Sequence, residues 1–314
     1  MERGVLDYVE GLGIDSEVYG KAVSRKDKCM RANTLKIREE ELLKRLPWKY
    51  EEVPWIKHAY RIECDKPGNS VEHALGYFFV QDPAAMLPAK VLMQDERKLT
   101  VSGSQFPARK SGTENPRTKT QDRGFRILDL CAAPGAKTTQ LAQLMNNKGS
   151  LIANDTSTQR SKALAMNVQR CGCLNTVVTN TDGKNFLNWL PGTQDYVLVD
   201  APCSGLGQRN AEMISQQWKL KKPTDYTKVQ TDLITTGFGC LKPGGRMVYS
   251  TCTLTVEENE IIVKTLLNTF DNARLKTPEL RLKFHKGIGL KECVRIYPQD
   301  NNTDGQFIAL IEKE

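Results

Sequence analysis

Arg126-Ile127-Leu128-Asp129-Leu130-Cys131-Ala132-Ala133-Pro134-Gly135-Ala136-Lys137-Thr138 decides the fold. It reads as a short apolar strand, a turn of small residues and the start of a helix. Small residues let a ligand approach the backbone, and the helix beyond Gly135 offers free N–H groups. The turn is neither a G-x-G-x-x-G dinucleotide loop nor a P-loop, because Leu130 and Ala136 stand where a P-loop needs glycine.

The pattern continues outward from that turn. Helix is predicted over 137–145, strand over 151–153, helix over 157–170 with Gly172 behind it, and strands over 176–179 and 196–199. A helix over 227–241 ends at Pro243-Gly244-Gly245, and a strand over 246–249 follows. Thr255-Val256-Glu257-Glu258 fits a capping box and predicts a helix from about Val256. Continuous apolar strands alternating with helices mean a mostly parallel α/β sheet covered on both faces. Two late strands, near 294–297 and 307–310, suit an antiparallel hairpin at one end of it.

Upstream, residues 1–95 read as a small α/β unit. It has a strand at 29–35, a short helix at 37–46, an aromatic strand at 76–80, and Asp82-Pro83 opening a helix. Residues 96–124 read as a linker or loop, since Phe106 is the only large apolar residue of 102–123. The α/β sheet domain takes 125–314.

Composition narrows the function classes. The chain has 314 residues, with 39% hydrophobic and 26% charged, which is ordinary for a globular protein. The longest uncharged stretch is 11 residues, Cys171 to Thr181, too short for a membrane span, and the N-terminus lacks the apolar core of a signal peptide. Nine cysteines without an export signal suggest reduced thiols in a cytoplasmic setting, or a nuclear one in a eukaryote. No membrane association is expected, and no obligate protein partner is evident. Residues 1–90 hold 15 basic and 15 acidic side chains, so residues 91–314 carry the whole net charge of +8. Basic excess concentrates at 102–123 and 274–295, which suits a polyanionic partner or a solvated lysine-rich surface.

In such sheets ligands bind beyond the carboxyl ends of the strands. Those ends carry Asp129, Asp155 and Asp182. Three acids around one turn, with no diphosphate loop, fit a nucleoside lacking phosphates, with S-adenosylmethionine the candidate; ordinary caps and turns would leave the same residues. Two further strands end in Asp200-Ala201-Pro202-Cys203-Ser204-Gly205 and Ser250-Thr251-Cys252-Thr253. As neighbours they would bring two cysteines and Asp200 to one small cavity. Buried packing is the bland reading of a cysteine. No metal site is expected, because there are three histidines and Cys171-Gly172-Cys173 lacks a second pair.

These motifs resemble the Nop/Sun family of RNA (cytosine-5) methyltransferases. The likeness rests on Asp129–Thr138, Asp200–Gly205, Ser250–Thr253 and Glu257-Glu258-Asn259-Glu260. It extends to Arg31–Lys36, Gly76–Asp82, Arg295–Pro298 and Gly305–Ala309, and so runs from about residue 30 onward. Ala136 and Gln306 depart from the family's usual glycine and phenylalanine without removing a catalytic group.

The resemblance implies a Rossmann-like class I methyltransferase sheet with helices on both faces, preceded by a small RNA-binding α/β domain. It implies methyl transfer from S-adenosylmethionine to carbon 5 of cytosine through a covalent adduct. Cys252 would be the nucleophile, Cys203 would serve product release, Asp200 would hold the base, and Lys137 would add positive charge near the thiolate. The cofactor would lie over Cys131, Ala132, Ala133, Pro134, Gly135, Ala136 and Lys137, bounded by Asp200. Asp155 would bind its ribose, Arg160 would support Asp155, and Asp182 would lie near its adenine. Transfer RNA is the expected substrate because the chain is compact, with ribosomal RNA the alternative. A DNA-type chemistry with Cys203 as nucleophile, and a non-catalytic assembly scaffold, are the rivals.

Overall fold

The computed structural model describes residues 1–24, 27–94, 124–220 and 222–314. The loop expected at 102–123, with its basic residues, lies outside the described residues.

A four-stranded antiparallel sheet forms first, from β1 (Lys28–Ala32), β2 (Tyr50–Glu52), β3 (Ala59–Ile62) and β4 (Phe78–Val80), in the order β2-β3-β1-β4. Leu42 of helix Glu39–Arg45 seals it against Met30, Tyr60 and Phe78. Nine strands build the second sheet: β5 (Arg126–Asp129), β6 (Ser150–Asn154), β7 (Thr176–Thr179), β8 (Gln194–Asp200), β9 (Leu241–Thr251), β10 (Ala273–Lys276), β11 (His285–Gly287), β12 (Leu290–Ile296) and β13 (Gln306–Lys313). Their order is β11-β12-β13-β9-β8-β5-β6-β7, with β10 paired to β13.

β7-β6-β5-β8-β9 run parallel, and β13 enters antiparallel between β9 and β12. β8 shows why both faces need cover. Tyr196 and Leu198 join the core under helices Leu87–Leu92, Ala136–Leu144 and Thr158–Arg170. Val197 and Val199 join the opposite core, under Thr224–Cys240 and Glu260–Thr269. Each such apolar side chain contributes roughly 1.5–3 kcal/mol on burial. The strand order reverses direction between β5's two neighbours, β6 and β8, and a crevice opens there at the carboxyl ends.

The two sheets are bolted together through buried polar groups. Arg31, on β1, reaches helix Ala136–Leu144, where it donates to Thr139 Oγ1 at 2.8 Å and to Gln143. Asn33 donates to the carbonyls of Gly76 and Cys171, both at 2.8 Å. Leu87–Leu92, within the range expected for the N-terminal unit, packs into the core of the larger sheet.

Three expectations need correction. The capping box at 255–258 does not form, and the helix starts at Glu260. Glu258 turns instead toward the loop after β8, where four donors converge on its carboxylate. The basic stretch 274–295 is partly neutralised: four of its seven basic residues, Arg274, Lys276, Lys283 and Arg295, pair with Glu314, Glu312, Asp300 and Glu260. Finally, two helices, Arg3–Gly11 and Ser16–Val23, precede the first sheet without having been anticipated. Val5, Val9, Tyr19 and Val23 bury against Leu206, Ile214, Leu254 and Tyr297 of the larger domain.

Candidate active site

The parallel register of β8 and β9 puts Asp200 opposite Ser250. The chain turns sharply after each strand, and the two turns are zipped together. Gly207 N–H donates to the Cys252 carbonyl at 2.9 Å and Gly305 N–H to the Gly207 carbonyl at 2.6 Å. A Cβ at Gly207 would lie 2.8 Å from Gly305 Cα, so no larger residue fits this crossing.

The two cysteines meet here, with Cys203 Sγ 3.2 Å from Cys252 Sγ. The hydrogen bond to Cys252 and burial push the Cys203 thiol well above its ordinary range, so Cys203 keeps its proton at neutral pH. Beneath it, Ser204 anchors the turn. Its N–H donates to Glu258 Oε2 at 2.9 Å, and its hydroxyl contacts Thr253 Oγ1 at 2.8 Å and donates to Glu258. Gln230 and Thr255 complete the ring around the carboxylate at 3.0 and 2.8 Å. Glu258 is therefore a buried staple between the cysteine-bearing loops.

Lys137 Nζ lies 2.7 Å from Asp200 Oδ2, and Ser250 Oγ donates to Asp200 Oδ1 at 2.8 Å. Burial alone would lower the Lys137 pKa, but Asp200 and, more weakly, Cys252 and Asp129 raise it above the ordinary value. The ammonium is therefore a permanent cation beside the thiol pair. Asp200 keeps a partly open face, with its side chain 28% exposed. A carboxylate has about four acceptor positions, so two remain for a donor from the cleft.

One cleft of about 800 Å³ joins this pair to the ends of β5 and β6. Asp155 sits 3% exposed at its far side and receives Ala133 N–H at 3.3 Å and Ser157 N–H at 3.0 Å. Arg160 stands 3.5 Å from Asp155 and donates to the Ala133 carbonyl at 2.6 Å, which fixes the turn and the acid together. Cys131, Ala133, Pro134 and Asp182 also line the cleft, whereas Ala132, Gly135, Ala136 and Lys137 are not among its lining residues.

The cleft's chemistry can be tested against S-adenosylmethionine. Asp155, Asp182, Asp200, Asp225 and Asp232 outnumber its cations Arg160, Lys184 and Lys228. Those three are themselves paired, with Asp155, Asp182 and Asp232. This wall repels phosphates and suits a cationic ligand. Leu130, Val229 and Leu233 give it an apolar side for a base. A buried carboxylate with spare acceptor positions, apolar walls and net negative charge fit a nucleoside carrying a sulfonium.

Sequence reading singled out Cys203, Cys252, Asp200, Lys137, Asp155 and Arg160, and the fold brings all six to this cleft or its edge. It missed Gln208, whose Nε2 donates to Cys252 Sγ at 3.2 Å, and Tyr226, which lines the cleft. Neither has a motif to mark it. Ser250 and Glu258 lay inside the quoted motifs, and their roles emerge only from tertiary contacts.

The family described as 16S rRNA methyltransferase RsmB/F matches residues 117–312. The N-terminal domain of 16S rRNA methyltransferase RsmF matches residues 6–83. A ribosomal RNA small subunit methyltransferase F of Vibrio campbellii is 38% identical over 297 residues, covering 91% of this chain and 57% of the relative. One of Aeromonas salmonicida is 35% identical over 296 residues, with the same coverage of each. This chain thus spans little more than half the length of those relatives.

Among solved structures, a methyltransferase homolog protein from Pyrococcus horikoshii superposes with TM-score 0.73 and 27% identity over the whole of both chains. NSun6 from Pyrococcus horikoshii gives TM-score 0.79 at 22% identity, covering 98% of this chain and 97% of the other, a likeness of fold.

Proposed function

The chain belongs to the 16S rRNA methyltransferase RsmB/F family, and from that premise we propose that it methylates carbon 5 of a cytosine in ribosomal RNA. The observation that carries the reading is the approach of Cys203 and Cys252 to 3.2 Å beside the Lys137–Asp200 pair, in the same cleft as Asp155. Transfer RNA was expected from compactness, which selects no RNA; the names of the relatives favour ribosomal RNA. Residues 1–95 serve as the RNA-binding unit in this reading, 96–124 as the connection and 125–314 as the methyltransferase domain.

Carbon 5 of cytosine is a poor nucleophile, so the chain's part is to make it a better one. Cys252 adds as a thiolate to carbon 6, and the electron pair of the 5,6 double bond moves to carbon 5. Asp200 receives the base's N–H edge and holds it against that attack. Lys137 keeps positive charge beside the sulfur, favouring its ionised form. S-Adenosylmethionine, held by Asp155, Asp182 and the turn after β5, supplies the electrophilic methyl group. Loss of the carbon 5 proton to solvent water then restores the double bond and expels Cys252 as a thiolate. Cys203, which keeps its proton at neutral pH and lies 3.2 Å away, serves that release as a hydrogen-bond donor to the departing sulfur. The base must leave its stack to enter the cleft.

The two cysteines should fail differently. With 16S rRNA fragments and cofactor, Cys252→Ala should abolish both methylation and any covalent complex. Cys203→Ala should accumulate a protein–RNA adduct that survives a denaturing gel, and the double variant should show none. A reversed pattern would make Cys203 the nucleophile. Full turnover by both single variants would reduce the pair to core packing.

A further inference from the structure

Gln208 stands in the wall between the cleft just described and a second one of about 680 Å³, which is lined by Asp82, Arg209 and Asp304 among others. The turn that carries it is fixed from both ends. Gln208 N–H donates to the Gly205 carbonyl at 3.0 Å, while the neighbouring Gly207 holds the Cys252 carbonyl. Gly205 has φ of +72°, and a Cβ there would lie 3.5 Å from Gln208 Cδ and Oε1 and 2.9 Å from Gln217 Oε1. The turn therefore needs glycine at 205 for its backbone, and the missing side chain leaves room for the Gln208 amide. That amide ends 3.2 Å from Cys252 Sγ, on the sulfur that also faces Cys203. The other end of the amide, Oε1, is buried without a hydrogen-bond partner among the described residues. Among those residues the sulfur is the hydrogen-bond partner that this amide has.

We infer that Gln208 is the positioning residue of the nucleophile: its amide N–H holds Cys252 Sγ in place and stabilises it as the attacking thiolate. The inference rests on the reading of Cys252 as nucleophile. A hydrogen bond to a charged acceptor is about twice as strong as one to a neutral acceptor, so the contact gains strength as the proton leaves. The other ionisable groups that bear on Cys252 are Cys203 from the loop after β8, Lys137 from helix Ala136–Leu144, Asp200 at the end of β8 and Tyr226 from helix Thr224–Cys240. Glu258 stands behind Cys203. Lys137 already answers to Asp200, which leaves Gln208 as the neutral donor given wholly to the sulfur.

An amide's nitrogen and oxygen can be exchanged without changing its shape. With the oxygen on the sulfur, Gln208 would accept from the thiol and oppose ionisation. The two arrangements predict opposite signs, and the pH dependence of Cys252 alkylation reads the sign. The full chain, Gln208→Met and Gln208→Glu are treated with iodoacetamide from about pH 5.5 to 10, without RNA or cofactor. Peptide mass spectrometry follows Cys252, with half-buried Cys64 of the small sheet as internal reference.

With Gln208 as thiolate donor, the half-maximal pH for Cys252 should rise by about one unit in Gln208→Met and further in Gln208→Glu. Rates near pH 7 should fall about tenfold and converge with wild type at high pH, while Cys64 stays unchanged. A profile that stays put, moves down, or drops equally at every pH overturns the inference. A fold-wide defect would show itself in a shifted Cys64 profile; Gln208→Glu, nearly isosteric, then decides. Failure of the wild-type chain to methylate RNA would sink the proposed activity and still leave the alkylation result readable.

Discussion

Arg295 and Glu260 form an ion pair with no outlet, whereas Lys137 and Asp200 form one that opens on a cleft. The first pair is 1% and 0% exposed. Arg295 Nε donates to Glu260 Oε1 at 2.6 Å and Nη2 to Oε2 at 2.5 Å, its third nitrogen donates to the Leu254 carbonyl at 2.7 Å, and Ile288 N–H adds a fourth bond, to Glu260, at 2.9 Å. All three guanidinium nitrogens and both carboxylate oxygens are engaged, so the pair fixes where β12 and helix Glu260–Thr269 sit. The second pair has similar chemistry, one 2.7 Å contact, and side chains 13% and 28% exposed. Asp200 lines the same cleft as the two cysteines. The difference teaches that saturation, more than burial, separates a structural charge from one available to a ligand.

The closed pair should break the fold before it touches chemistry. Arg295→Met strands Glu260 inside the core and should cost roughly 3–5 kcal/mol in urea unfolding. Arg295→Met with Glu260→Leu should regain most of it. If the single variant is as stable as wild type, the closed pair is ornamental and the contrast collapses.

The open pair should do the reverse. Asp200→Asn keeps one carbonyl oxygen for Lys137, and the Ser250 hydroxyl can turn to accept from the new amide, so stability should change by about 1–2 kcal/mol, less than in Arg295→Met. Methyl transfer should fall roughly 10²–10³-fold in single-turnover assays, the scale for losing one preorganised electrostatic contact. A large loss of stability with intact turnover would move this pair into the structural class.

Asp155 lies between the extremes, nearly sealed but with spare acceptor positions. Asp155→Ala should weaken S-adenosylmethionine binding by roughly 1–3 kcal/mol in calorimetry. Unchanged affinity would remove it from the site.

Asp129 supplies a third kind of buried charge, one with no cation in contact. It is fully buried and takes a hydrogen bond from Thr138 at 2.8 Å, with weaker support from the Cys131 backbone N–H. Burial pushes its carboxyl up to about 7. The folded chain then holds a proton that the unfolded chain releases above about pH 4. The resulting stability is full below that pH and lost as pH rises through 7. Wild type should therefore lose about 3 kcal/mol relative to Asp129→Asn between pH 4 and 7. Parallel stability curves would mean that the site ionises without penalty.

The same distinction explains what could be read from the sequence. Strands β5 and β8 announce themselves because their apolar runs need cover on both sides, and a strand end followed by a small-residue turn is a local pattern. Cys203, Cys252 and Asp200 could be brought together because neighbouring parallel strands place their ends together. Saturation is not local. Thr255–Glu258 satisfies the spacing of a cap, yet Glu258 is claimed by Ser204, 54 positions away. Arg274, Lys276 and Lys283 look free until Glu314, Glu312 and Asp300 arrive from other segments. Val5 and Val9 carry a helical spacing too short to stand out from surface helix, and their partners lie some 200 residues on.

Those first two helices have a consequence for how the molecule is made. Tyr19 O–H donates to the Leu206 carbonyl, and Tyr8 O–H to Glu257, across separations of 187 and 249 positions. A ribosome delivers the tyrosines early and the loops they brace late. Helices Arg3–Gly11 and Ser16–Val23 must therefore wait, apolar faces unmatched, until β9 and Tyr297 have emerged. The cysteine-bearing turns gain their outer support only after Tyr297 has emerged, so no shorter nascent chain carries a braced pair of thiols.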